Sequence, residues 1–166
     1  MYRKVSDFLE DWKSETDSTL KVFSGLTDEC LNKKFHENVR SAGRIAWHMV
    51  LTIVEMAQLM GLKISALEKE APMPATVREL IDKFNETASG LYSGIEKNWT
   101  DETLLREDDL FGELWKRGKS LSVIMAHHIH HLGQLTVVMR FAGLKVPGVY
   151  GPAKEEWADY GMDPQE

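Results

Sequence analysis

The sequence has little cysteine and no apolar leader. Its 166 residues include a single cysteine, Cys30, so no disulfide can form within the chain. The first residues, MYRKVSDFLEDWK, lack the apolar stretch that marks a secretory signal peptide. Small secreted domains usually carry paired cysteines and such a signal. We therefore expect a cytoplasmic protein.

The chain also has fewer basic than acidic residues. The chain has 20 lysines and arginines against 26 aspartates and glutamates, a formal net charge of −6, and no basic run. Surfaces that bind nucleic acid need clustered basic residues to neutralise phosphates, so we expect no nucleic-acid partner. The stretch from Ser120 to Met139 has no charged residue and the length of a membrane span, but its four histidines would be costly in hydrocarbon. It is better explained as a buried helix, without a membrane partner.

Several catalytic motifs are missing. The sequence contains no HExxH, GxSxG, P-loop or GxGxxG pattern, which removes support for zinc proteolysis, serine hydrolysis and nucleotide binding. No glutamate stands three residues before any histidine, so a di-iron carboxylate bundle is also unsupported.

Apolar residues recur at helical spacing, and no long alternating run suggests a sheet. With 18.9 kDa and 43% hydrophobic residues, the chain fits one all-α domain spanning residues 1–166. The connection over residues 62–75 is long enough to cross the bundle. Residues 100–119 are predicted to form an ordered loop, and the last twenty residues are predicted to form an extended tail. Four helices are predicted: from a cap at Ser6 to about Gly25, Ser41 to about Met60, from a cap at Thr76 to Trp99, and from a cap at Ser120 to Gly143.

Four of the six histidines lie within residues 127–131. His127 and His131 are four residues apart, so they point the same way from the core-facing stripe of a helix. His48 lies on the core-facing stripe of the second predicted helix and would complete a set of three imidazole ligands with open positions for water or substrate. Glu55 and Thr52 fall on nearly the same face as His48 and could orient a ligand or a bound water.

The pattern of these histidines allows three interpretations. The leading one is a metal-dependent enzyme that holds Zn²⁺, Ni²⁺ or a similar divalent ion at His48, His127 and His131. The second is a non-catalytic dimeric bundle in which the metal serves stability or sensing. The third is a histidine cluster that acts as a pH switch. His128 and His130 are predicted to have structural or supporting roles, and His36 has none assigned.

Two segments resemble a known family. HHIHHLGQLTVVMRFAGLKVPGVYGP, from His127 to Pro152, and RSAGRIAWHMV, from Arg40 to Val50, are similar to segments of the DinB-like, or YfiT-like, bacterial metal-binding four-helix bundles. The resemblance implies an up-down-down-up bundle, usually a homodimer, with a divalent metal held by His48, His127 and His131. Members of the wider superfamily include S-transferases that use low-molecular-weight thiols, isomerases and hydrolases. The resemblance therefore implies a small-molecule substrate, with a low-molecular-weight thiol as a possible cosubstrate.

Overall fold

Four long helices pack around one apolar core, as the sequence predicts. A computed structural model describes residues 1–68 and 70–164, so position 69 of the predicted connection and positions 165 and 166 of the predicted tail lie outside the described residues. Short 3-10 helices occur at Asp101–Leu105 and Lys154–Tyr160. The α-helices and strands in chain order are α1 (Val5–Phe23), α2 (Asp28–Leu31), α3 (Ala42–Leu59), α4 (Val77–Asn98), β1 (Glu107–Leu110), β2 (Glu113–Lys116) and α5 (Arg117–Phe141).

Helices α1 and α5 run in one direction, and α3 and α4 in the other. The amide of Val5, at the start of α1, donates to the Asp101 carboxylate just beyond the end of α4, at 2.8 Å. The amide of Tyr2 donates to the carbonyl of Gly118 at 3.0 Å, which places the starts of α1 and α5 together. A Cβ atom on Gly61, just beyond the end of α3, would lie 3.7 Å from the Arg117 guanidinium, which places the end of α3 beside the start of α5. These three contacts give the up-down-down-up arrangement that the family resemblance implies.

The connection between α3 and α4 runs back along the bundle, because these two helices are parallel. A Cβ atom on Gly90 would lie 2.6 Å from the carbonyl oxygen of Ile64, so only glycine lets the connection pass this close to α4. Further along, the indole of Trp47, near the start of α3, donates to the carbonyl of Ala71 at 2.8 Å. The predicted long crossover is therefore confirmed.

The segment predicted as an ordered loop over residues 100–119 contains a β-hairpin. Its two strands pair in register from Glu107 opposite Lys116 to Leu110 opposite Glu113. The two turn residues, Phe111 and Gly112, both have positive φ angles, of 60° and 87°, as tight hairpin turns require. Strands of four residues are too short to show an alternating pattern, so the sequence did not indicate them.

The prediction that Ser120 caps the last helix is wrong. Helix α5 begins three residues earlier, at Arg117, and the Ser120 hydroxyl donates to the carbonyl of Lys116 inside the first turn. The Arg117 guanidinium donates to both carboxylate oxygens of Asp108, at 2.7 and 3.0 Å. This bidentate pair anchors the start of α5 to the hairpin. Capping motifs in the sequence do not indicate such a pair, so the sequence did not predict this helix start. No helix in the described parts of the chain is long and apolar enough to cross a membrane.

The first helix and the tail also differ in detail from the prediction. Helix α1 begins at Val5, one residue before the predicted cap Ser6. The tail returns over the bundle and includes the 3-10 helix Lys154–Tyr160, for which the sequence shows no periodicity. The hydroxyl of Tyr150 donates to the carboxylate of Glu15, so this residue fastens the tail to α1.

Candidate metal centre

The three histidines predicted to share an ion lie together on the seam between α3 and α5. His48 lies in the second turn of α3, and His127 and His131 lie on successive turns of α5. The Nε2 atom of His127 is 3.2 Å from Nε2 of His48 and 3.1 Å from Nε2 of His131. Nitrogens that bind one tetrahedral zinc ion at about 2.1 Å are about 3.4 Å apart. The spacing of these three imidazoles therefore fits a shared divalent ion.

The surroundings of the three imidazoles favour their neutral form. Burial, reinforced by the neighbouring histidines and Arg40, lowers the pKa of His48 and of His127 to about 4. Burial also lowers the pKa of His131, against a hydrogen bond to Gln134 that raises it. Neutral imidazole is the form that binds a metal. The site therefore presents unprotonated ligand nitrogens at neutral pH.

Gln134 orients the ring of His131. Its Oε1 atom can only accept, so the 2.8 Å contact with Nδ1 of His131 requires the imidazole to donate from Nδ1. This tautomer leaves a lone pair on Nε2, the atom that faces His127. The Gln134 amide in turn donates to Nε2 of His130 at 2.9 Å. The sequence alone places Gln134 on the same helical stripe but indicates no role for it. Residues three apart on a helix can touch, so its position three residues after His131 could have indicated this contact.

The other two clustered histidines do not join the triad. His128 points into the core, where its Nε2 atom is hydrogen-bonded at 2.9 Å to the hydroxyl of Thr19. Its ring packs against Trp12 and Phe84, and burial lowers its pKa to about 3. His130 is exposed and touches the triad only through Gln134 and the ring of His131. Both placements agree with the structural and supporting roles predicted for these residues.

Among the residues that the structure describes, no fourth side chain that could bind a metal joins the triad. The ligand atoms of His48, His127 and His131 all lie within 4.8 Å of one another, and across residues 1–68 and 70–164 no other imidazole, thiol or carboxylate joins that group. Glu55 is near enough to raise the pKa of His48, but its carboxylate lies outside the group. Structural zinc sites are closed by four protein ligands, whereas catalytic sites keep one position open. This triad has the open form.

A groove of about 530 Å³ adjoins the triad at His131. One wall comes from residues 38–40, which precede α3, and includes Arg40. The other wall comes from the last turns of α5 and includes Val137 and Phe141. Pockets that bind small molecules usually measure about 300–1,000 Å³. The groove is therefore large enough to hold a small organic molecule beside His131.

Comparison with known proteins agrees with this fold. Residues 1–166 match the model of the DinB family. The chain is 36% identical over 163 residues to the uncharacterized protein YrdA of Bacillus subtilis (strain 168), with 98% of each chain covered. It resembles the crystal structure of a DinB-like protein from Bacillus cereus ATCC 10987, with a TM-score of 0.85 and 36% identity over 90% of this chain and 100% of that one. The DinB-like protein YjoA of Bacillus subtilis, with a TM-score of 0.69 and 21% identity over 86% of this chain and 97% of that one, shares the fold. The chain belongs to the DinB family.

Proposed function

We propose that this protein is a metal-dependent enzyme that holds a divalent ion at His48, His127 and His131 and acts on a small molecule in the adjoining groove. The observation that carries the proposal is the convergence of three imidazole Nε2 atoms, from two helices, with no fourth ligand in their group across the described residues. Zn²⁺ and Ni²⁺ both suit three imidazoles, because imidazole binds several first-row ions and cellular supply selects among them.

The residues of the proposed site have different roles. His48 on α3 and the pair on α5 hold the ligand atoms in place, and Gln134 keeps His131 in the tautomer that can bind. When bound, the ion supplies the positive charge that lowers the pKa of a water or thiol beside it and makes a nucleophile at neutral pH. The groove at His131 receives the substrate. Thiol transfer to an electrophile and hydrolysis are the two reactions that this arrangement supports.

Metal analysis of the untagged protein tests the first step. We expect about one divalent ion per chain in the wild type and almost none in the His48→Ala/His127→Ala variant. His36→Ala is the matched control, because His36 is exposed and lies outside the triad. Equal metal content in the wild type and the double variant would refute the proposed site.

A thiol-transfer screen tests the second step. The metal-loaded protein is incubated with several small thiols and electrophiles, and with ester and amide substrates for hydrolysis. We expect turnover by the loaded wild type and loss of turnover in the double variant. Metal that raises the melting temperature but supports no turnover with any of these substrates would contradict the enzymatic proposal and favour a structural or sensing role.

We include in the proposal that the protein acts as a homodimer. This part rests on the family resemblance and has a direct test in light scattering coupled to gel filtration. The expected mass is twice the 18.9 kDa of the chain. A mass of one chain across the micromolar range would contradict it.

A further inference from the structure

The groove beside the triad carries a positive charge, although the protein as a whole is acidic with a net charge of −6. Arg40 is exposed and lines the groove together with His131. In the part of the chain that the structure describes, no carboxylate oxygen lies within 4.0 Å of the Arg40 guanidinium. Its charge is therefore available to a ligand.

The start of α3 adds to this positive charge. Ser41 is the capping residue of α3, its hydroxyl accepts from the amide of Arg44 at 3.3 Å, and no acidic residue occupies the first turn. The beginning of a helix carries partial positive charge, and acidic side chains are the favourable neighbours there. This chain instead places Arg40 before the capping residue and Arg44 in the first turn. Cations gathered at a helix start are unfavourable for the fold but well suited to an anion.

Arg40 is also close to the triad. It lines the same groove as His131, a member of the triad. An anion held by Arg40 would therefore lie within reach of the proposed metal centre. The single guanidinium offers a planar pair of N–H donors, the geometry that matches a carboxylate.

The opposite wall of the groove is apolar. Val137 and Phe141, on the last turns of α5, are 55% and 67% exposed. The ring of Phe141 lies 6.2 Å from that of Phe35, measured between ring centroids, so the apolar surface extends beyond the groove. The groove is thus lined by a cation, by apolar side chains and by one histidine of the triad.

We propose that this groove binds a small organic acid, whose carboxylate pairs with Arg40 and whose apolar part packs on Val137 and Phe141. The reactive group of the acid then faces the histidine triad. This inference rests on the proposed metal centre, and it adds the chemical class of the substrate. Arg40 is assigned to substrate binding and has no part in holding the ion.

Two hydroxamates test the inference with the cobalt-loaded protein. Butyrohydroxamate and succinic acid monohydroxamate have the same chain length and the same metal-chelating group, but only the second ends in a carboxylate. Dissociation constants are measured from the change in the visible absorption of cobalt. We expect the wild type to bind the acid about 10-fold more tightly at low ionic strength, with the preference falling as salt is added.

Variants of Arg40 identify the cause of the preference. Arg40→Gln should bind the two hydroxamates equally, and Arg40→Lys should keep part of the preference because the positive charge remains. Arg3→Gln is the matched control: Arg3 is exposed and lies before α1, at the opposite end of the bundle from the start of α3. This control should keep the full preference.

The outcomes separate this inference from the proposed function. Equal affinities in the wild type, or an unchanged preference in Arg40→Gln, would overturn the carboxylate site while leaving the metal centre in place. If the wild type takes up no cobalt, the metal centre itself is refuted, and the inference falls with it. A bound cobalt whose spectrum neither hydroxamate changes overturns the inference alone.

Discussion

Replacement of Gln134 by leucine should weaken metal binding without unfolding the protein. Gln134 is exposed on α5, so a side chain of similar length can replace it with little effect on packing. Leucine can neither accept from Nδ1 of His131 nor donate to His130. The substitution therefore removes both polar contacts that order this side of the triad.

The size of the effect follows from what the 2.8 Å contact does. Without the acceptor at Nδ1, the proton of His131 can move to Nε2, and the ring can then no longer offer a lone pair toward His127. Loss of such a supporting partner typically lowers metal affinity by about 10- to 100-fold. The same loss corresponds to about 1.4–2.8 kcal/mol of binding free energy.

Competition against a chromophoric chelator measures this affinity for zinc and for nickel. Gln58→Leu is the matched control, because Gln58 is exposed on α3 and is not part of the triad. Gln134→Glu should stay close to the wild type, since a carboxylate also accepts from Nδ1. An affinity of Gln134→Leu within about twofold of the wild type would refute the proposed role of Gln134.

Three further predictions concern stability. Glu15 is 3% exposed, and burial raises its pKa above 4.5. The folded protein therefore favours the neutral carboxyl, and the free energy of unfolding falls as the pH rises through the raised pKa and the buried group becomes charged. Glu15→Gln should therefore raise the free energy of unfolding by about 1 kcal/mol at pH 7. This gain should disappear below pH 4.5, where the carboxyl of the wild type is neutral as well. A gain that does not depend on pH would contradict this explanation. His128→Ala should cost about 2–4 kcal/mol in urea unfolding through a core cavity and the lost bond to Thr19. Its metal affinity should not change, and a fall would instead assign His128 to the metal centre. Phe111→Asn should stabilise the hairpin by about 1 kcal/mol in the same assay, because asparagine tolerates a positive φ angle; an unchanged midpoint would argue against backbone strain at this turn.

The long helices and the histidine pair could be predicted because helix geometry is local. The Thr76 hydroxyl accepts from the amide of Glu79, as the capping-box pattern indicates, and α4 begins directly after it. The alignment of His127 with His131 follows from their spacing on α5. By contrast, the start of α5 depends on the pair between Arg117 and Asp108, which no capping pattern encodes.

The amino-acid sequence by itself determined the helical class of this protein, the approximate extent of its four long helices and the face shared by His127 and His131. Only the tertiary structure decided that His48, 79 positions before His127, comes within 3.2 Å of that residue, that His128 points into the core, and that Arg40 lines the groove at His131. The physical reason is the range of the interactions. A helical repeat sets directions over a few residues, whereas the meeting of two helices and a connecting segment depends on how the whole core packs.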